Sequence, residues 1–302
     1  MPEPTTAPTR PVEFGIALNP EADRMDELIR LARLADNRGL ELLGVMDHPF
    51  NPAAFDSWTL LTILAARTER IRLFPDVANL PLRPPAVLAK AAATLDRLSG
   101  GRIELGLGAG AGVESGGGMG GPKRTPVQAV AALAEGIEVI RRMWAADGRP
   151  AVFHGDHYQL EGVVPGPPPA HPISLWIGAY GRRMAALTGR LGDGWLPSYP
   201  LLDLAGYLEL NKAVNDAAID AGREPAAVRR LYNVVGRIDA AGSAVYDENA
   251  AAWAERLVEL VLRAGVTGIM LTPMADHDQQ IEVFAAEVVP AVRAALASEG
   301  VV

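Results

Sequence analysis

The stretch TLDRLSGGRIELGLGAGAG, residues 94–112, decides the fold. Its first five residues close a segment with helical periodicity (84–98), and RIELGL (102–107) reads as a β-strand. Beyond the strand, glycines alternate with small or apolar residues from Gly106 to Gly112. The question it raises is whether this loop cradles a phosphate, and whose.

The same alternation of strand and helix extends outward in both directions. Strand runs fall at VEFGIAL (12–18), ELLGVM (41–46), IRLFPDV (71–77), ISLWIGA (173–179), GWLP (194–197), RLYNVVGRI (230–238) and TGIMLT (267–272), which with RIELGL makes eight. Helical spacing fills the gaps at 23–38, 57–67, 84–98, 126–146, 182–191, 203–221, 249–264 and 278–297. The first of these carries Met25, Leu28, Ile29, Ala32, Leu34 and Ala35 on one face and stops at Arg38-Gly39. Most of the strand runs are apolar throughout, as in parallel strands covered on both faces. Eight β-then-α units predict an α/β protein, a (β/α)8 TIM barrel. One domain over 12–298 is expected, preceded by a disordered leader, 1–11, with Pro2, Pro4, Pro8 and Pro11. Residues 150–172 break the rhythm and predict a short hairpin, turning at His154-Gly155-Asp156, between the fourth helix and the fifth strand.

Composition narrows the function. A chain of 302 residues with 49% hydrophobic and 21% charged residues is that of a well-packed soluble protein. A net charge of -8 with no long basic run argues against nucleic acid as a partner. With no cysteine, thiolate nucleophiles, disulfides and iron–sulfur ligation are excluded, and a cytoplasmic location is expected. Neither a signal peptide nor a membrane anchor is legible at the N-terminus. His154, His157, His171 and His277 lack metal-ligand spacing, so no metal is expected.

The glycine loop matches G-x-G-x-x-A at Gly106, Gly108 and Ala111, and G-x-G-x-x-G at Gly116, Gly118 and Gly121. A dinucleotide fingerprint belongs to the first strand of its unit and this loop follows the fourth, so a Rossmann reading is disfavoured. Glycines after a barrel strand also relieve crowding at the rim. Position argues for function, because loops after the strands carry the sites of barrel enzymes and this one is long.

Several stretches together resemble a known family. DHPFNP after the second strand, ATLDRLSGGRIELGLGAG around the fourth, LWIGAYGRRMAALTGRLGDGWLPS across the fifth and sixth, and AAEVVPAVR near the end are similar to the bacterial luciferase-like superfamily. Within it the chain resembles the branch that uses the deazaflavin coenzyme F420, including methylenetetrahydromethanopterin reductases. The resemblance covers Val12 to Arg293. It implies a barrel that binds F420, or alternatively FMN, at the strand C-termini and passes a hydride to or from a small-molecule substrate, commonly as a homodimer.

Carried onto this chain, the resemblance implies four site segments. Asp47-His48 follows the second strand, where a histidine titrating near neutral pH can move the proton that accompanies a hydride, with the carboxylate holding its tautomer or charge; the plainer reading is a turn cap and a solvated ring. Asp76-Val77, with Asn79, matches a bulge whose non-proline cis peptide supports the ring. Gly178, Ala179, Tyr180 and Gly181 lead into a helix that begins with Arg182 and Arg183, a phosphate site by its free amides and guanidinium groups, or else merely solvated arginines. Gly108 and Gly110 give ring and tail room to lie on bare backbone, and Glu114 suits a pyrimidine-like edge or the tail hydroxyls. Sugar-phosphate dehydrogenases of the F420 branch carry a glutamate where this chain has Ala111, which favours a reductase. An FMN-dependent monooxygenase is the alternative, and a flavin-binding relative without turnover is a third reading. Trp195 either lines the pocket or packs in the core.

Overall fold

Eight parallel strands, neighbours in space in the order of the sequence, form the centre of the computed structural model, which describes residues 10–110, 118–145, 147–238 and 246–301. The strands are β1 (Glu13–Leu18), β2 (Leu42–Val45), β3 (Arg72–Pro75), β4 (Leu105–Gly108), β5 (Leu175–Ile177), β6 (Gly194–Trp195), β7 (Arg229–Ile238) and β8 (Gly268–Pro273). Register runs from Gly15 opposite Leu42 and Leu42 opposite Arg72 round to Leu231 opposite Gly268 and Glu13 opposite Gly268. β3 meets β4 through one bridge, Leu73 opposite Ile103, because Pro75 has no N–H with which to extend the ladder. The chain resumes pairing after that proline, with Ala78–Asn79 lying on Leu107 and Gly108. The strand expected over 71–77 is therefore interrupted, and the Asp76–Val77 peptide in the gap is cis.

Helices return each strand to the next: α1 (Met25–Asn37), α2 (Ser57–Arg67), α3 (Pro85–Ser99), α4 (Pro126–Trp144), α5 (Arg182–Leu191), α6 (Leu204–Asp220) and α7 (Ala250–Ala264). Their starts are written locally. Asp56, Asp203 and Asn249 accept N–H bonds from Thr59, Gly206 and Ala252, and Thr125 with Gln128 forms a reciprocal capping box. The last helical stretch, His277–Val283, passes through a π-turn at Phe284–Val288 and continues as Val289–Ser298. Pro290 accounts for that turn, since it removes an N–H and its ring crowds the carbonyl four residues earlier. Between Asp147 and Ser174, Ala151–His154 pairs antiparallel with Gln159–Val163.

Two apolar clusters hold the barrel. The larger fills the space between strands and helices, with Phe14, Ile16, Leu43, Trp195, Tyr207, Trp253 and Phe284 buried. The smaller lies inside the ring, where Ala17, Leu42, Phe74, Trp176, Leu196, Leu231 and Met270 meet. Phe74 and Trp176 pack edge to face at 4.9 Å. Trp195 belongs to the outer cluster, its indole N–H donating to the Ala179 carbonyl at 2.9 Å, which settles its reading as core.

Charge closes the lower end of the ring. Glu13, Arg72, Glu104 and Arg229 converge there, Arg72 pairing with Glu13 and with Glu104 (3.0 Å) and Arg229 pairing with Glu13. Arg229 also stands over the Trp176 ring at 5.6 Å. The first half of the opening stretch braces this end. Buried Asp96 accepts N–H bonds from Ile103, Ala170 and His171, and Arg102 donates to Ser99, Ile71 and Ala65 carbonyls and to Thr68. Gly100 and Gly101, both at positive φ (75° and 87°), make the turn between them. The chemistry of LDRLSGGR is thus a clamp between α3 and β4.

Candidate active site

The opposite end of the barrel, at the strand C-termini, opens into a cleft of about 600 Å³. Met46, Asp47 and His48 come from the end of β2, Asp76 to Asn79 from the bulge after β3, and Gly108 to Gly110 from β4. Gly178, Tyr180 and Gly181 follow β5, Leu196 and Ser198 to Leu201 follow β6, and Asn233, Val235 and Thr272 lie on β7 and β8. Ten of the residues expected at the site therefore meet around one cavity: Asp47, His48, Asp76, Val77, Asn79, Gly108, Gly110, Gly178, Tyr180 and Gly181.

Three expected residues do not line it, and a fourth lies outside the described residues. Ala179 is fully buried on the outer side, where its carbonyl holds Trp195. Arg182 and Arg183 are exposed in the first turn of α5, Arg182 making only a loose pair with Glu209 at 3.5 Å. Gly181 at the N-cap offers no side-chain cap, so the first amides of α5 remain open to an anion on the rim. Glu114, like Ala111, lies outside the described residues.

Asp47 does not hold His48. Its carboxylate is buried and grips Arg83 at two points, 2.9 and 3.1 Å, while accepting the Asn79 N–H at 2.9 Å. Arg83 in turn reaches Asp56 at 2.7 Å. The carboxylate was expected to fix the histidine tautomer, but it pins the segment after the bulge to the segment after β2. The His48 ring is exposed at the mouth and rests against Phe50 at 5.7 Å.

The glycines of β4 serve the bulge first. A Cβ on Gly106 would come within 2.2 Å of the Pro75 carbonyl oxygen, and Cβ atoms on Gly108 and Gly178 within 2.9 and 3.0 Å of Val77. The bare backbone admits the Val77 side chain to the centre of the cleft, where it caps the inner cluster. Crowding relief and site construction are one feature here. Gly108 and Gly110 still face the cavity, as the sequence led one to expect.

Beside Val77 a polar network crosses the floor. The Tyr180 hydroxyl donates to Ser198 Oγ, and Asn233 Nδ2 donates to both Ser198 Oγ and Asp76 Oδ1, each at 3.1 Å. Asp76 as a residue is half-buried, but its Oδ2 is sealed from solvent without a partner. Desolvation, opposed only by the Asn233 bond, pushes its pKa up to about 6. Desolvation also holds the Tyr180 phenol above its usual range. Three further lining atoms, Asn79 Oδ1, Asn233 Oδ1 and Thr272 Oγ1, are buried and unsatisfied. Buried polar atoms are ordinarily paired, so this concentration in one cavity marks where a ligand supplies the missing partners.

Ser198, Asn233 and Thr272 were not anticipated from sequence. The available signal was a polar residue inside each of the apolar runs RLYNVVGRI and TGIMLT.

Known proteins agree with this architecture. A phthiodiolone/phenolphthiodiolone dimycocerosates ketoreductase of Mycobacterium kansasii is 33% identical over 270 residues, 83% of this chain and 72% of the relative. An F420-dependent glucose-6-phosphate dehydrogenase of Nakamurella multipartita is 30% identical over 221 residues, 70% of this chain and 64% of the relative. The solved structure of a coenzyme F420-dependent tetrahydromethanopterin reductase from Methanopyrus kandleri superposes with a TM-score of 0.78 at 20% identity. That superposition covers 93% of this chain and 99% of the other, a likeness of fold. The luciferase-like monooxygenase profile matches residues 9–297, and the chain belongs to that family.

Proposed function

We propose that the protein is an F420-dependent oxidoreductase that reduces a small organic acceptor, a ketone, imine or enone. The observation that carries this reading is the cleft with its unpaired acceptors on the floor and an uncapped helix start on its rim. Asp76 Oδ2, Asn79 Oδ1 and Asn233 Oδ1 have no donor within the protein, and a flat heterocycle with ring N–H groups would suit such an acceptor-rich floor. The free amides of α5, with Arg182 and Arg183 beside them, suit the phosphate of an anionic tail. The residues present therefore fit the group.

When bound, a reduced deazaflavin supplies a hydride, the chemistry that the side chains lack. The protein's own part is positioning and proton delivery. Val77 and the glycines around it set the depth at which a flat ring rests, and the Asp47–Arg83 pair fixes the Asn79 segment beside it. His48 gives a proton to the acceptor's oxygen or nitrogen as its carbon gains the hydride, so the product leaves with the hydride's hydrogen and electron pair and with the proton from His48. Exposure lets His48 recover its proton from water.

The relatives support the two parts of the reading separately: one is named a ketoreductase, and another, a dehydrogenase, is named F420-dependent. An FMN-dependent monooxygenase is the second reading, and it requires a reduced ring shielded while oxygen reacts. Around this mouth Tyr180 is 44% and Leu201 74% exposed, and His48 is exposed too, which favours a carrier that tolerates water. Fluorescence titration of the apoprotein with F420 and with FMN tests the choice. At least tenfold tighter F420 binding, followed by oxidation of the bound reduced form by ketones, is expected. Tighter FMN binding with oxygen consumption overturns the reading.

A further inference from the structure

Taking the cleft as the place of reaction, which rests on the reading above, we infer that the acceptor is an uncharged molecule with an aliphatic portion, and that Leu201 is a specificity-determining residue for it. Charge carries the first half. All 28 Lys and Arg residues lie among the described residues, since the segments outside them contain none, and not one lines the cleft. Arg83 is committed to Asp47 and Asp56, and Arg182 and Arg183 sit outside on the rim. The carboxyls present, Asp47 and Asp76, are both acidic. A phosphate or carboxylate on the acceptor would lose its hydration, meet no lysine or arginine and lie near Asp76, with His48 at the exposed mouth as the one side chain able to carry a positive charge beside it. A sugar phosphate is thus poorly served, whereas a neutral carbonyl compound gives up little on entry.

Shape and exposure carry the second half. The walls are apolar: Met46, Val77, Leu196, Tyr199, Leu201 and Val235. Leu201 belongs to the wall yet is 74% exposed, so its lining surface is left uncovered among the described residues. Its neighbours fix it in place. The Leu202 N–H donates to the Ser198 carbonyl at 3.0 Å, Tyr232 donates its hydroxyl to the Leu202 carbonyl, and Tyr199 packs edge to face on Tyr246 at 4.9 Å. A held, uncovered leucine at a cavity mouth is a preorganised contact for a hydrocarbon. Single exposed apolar side chains are common, but Leu201 is one that lines an apolar cavity.

The test uses 2-alkanones from 2-butanone to 2-nonanone, ω-carboxylated ketones of equal length, and a ketone ending in trimethylammonium. Calorimetric dissociation constants are measured on the full chain with oxidised F420 bound and with no carrier, alongside kcat/KM with reduced F420. Affinity is expected to rise about threefold per added methylene until the chain outruns the wall. Carboxylated ketones are expected to bind at least tenfold more weakly than neutral ones, and Leu201→Gln to halve the dependence on chain length. No dependence on chain length, or preference for either charged analogue, overturns the inference. If F420 fails to bind while the alkanone series holds on the carrier-free protein, the cofactor reading falls and this one stands. If F420 binds and no alkanone does, the reverse is true.

Discussion

Replacing Asp76 by asparagine keeps the side chain's shape and removes its titration. In the native protein one carboxyl oxygen accepts from Asn233 Nδ2 at 3.1 Å and the other is sealed without a donor. Desolvation raises the pKa from 3.8 to about 6, so the folded state holds this proton more tightly than the unfolded chain does. Stability from this group is complete below about pH 4 and is lost as pH rises from about 4 to about 6. A shift of about two units at about 1.4 kcal/mol per unit gives a loss of about 3 kcal/mol that persists at neutral pH. Asp76→Asn escapes that loss. Urea unfolding of the carrier-free protein, followed by tryptophan fluorescence from pH 4 to pH 8, measures it. The two proteins are expected to differ least at pH 4, with the variant gaining about 3 kcal/mol on the native chain by pH 7. A difference that stays constant across this range refutes the assignment of a buried, proton-holding carboxyl.

His48→Ala is expected to lower kcat about a hundredfold while leaving the F420 dissociation constant within about twofold, measured by steady-state kinetics and fluorescence titration; unchanged kinetics remove His48 from proton transfer. Arg182→Ala combined with Arg183→Ala is expected to weaken F420 binding about tenfold, and equal affinity moves the phosphate away from α5. Gly106→Ala sets a Cβ 2.2 Å from the Pro75 carbonyl oxygen and is expected to cost about 3 kcal/mol in thermal unfolding. Gly118→Ala, with nothing near the added carbon, serves as the control and is expected to be neutral.

The architecture was legible because apolar runs and helical spacing are local, and eight of each leave few topologies open. The positions of Asp47, His48, Asp76 and Gly108 were also legible, since a residue just past a barrel strand has one end of the ring to face. Partnerships were not. Asp47 finds Arg83, and Asp76 finds Asn233, across gaps in sequence that no spacing rule spans; the strand stagger brings them together. Asn233 and Thr272 read as parts of apolar strands, because their inward direction depends on the closed ring. Ala179 illustrates the converse, between two lining residues yet buried in the outer layer, where its carbonyl accepts from Trp195. The glycines of β4 were read both as crowding relief and as room for a ligand, and the close approach of Pro75 and Val77 assigns Gly106 to the first.

The ionic stopper of Glu13, Arg72, Glu104 and Arg229 makes the barrel, among the described residues, a cup open at the strand C-termini. Under the proposed function, two molecules that react inside such a cup queue for the same entrance: the one seated against Val77 is expected to go in first and come out last.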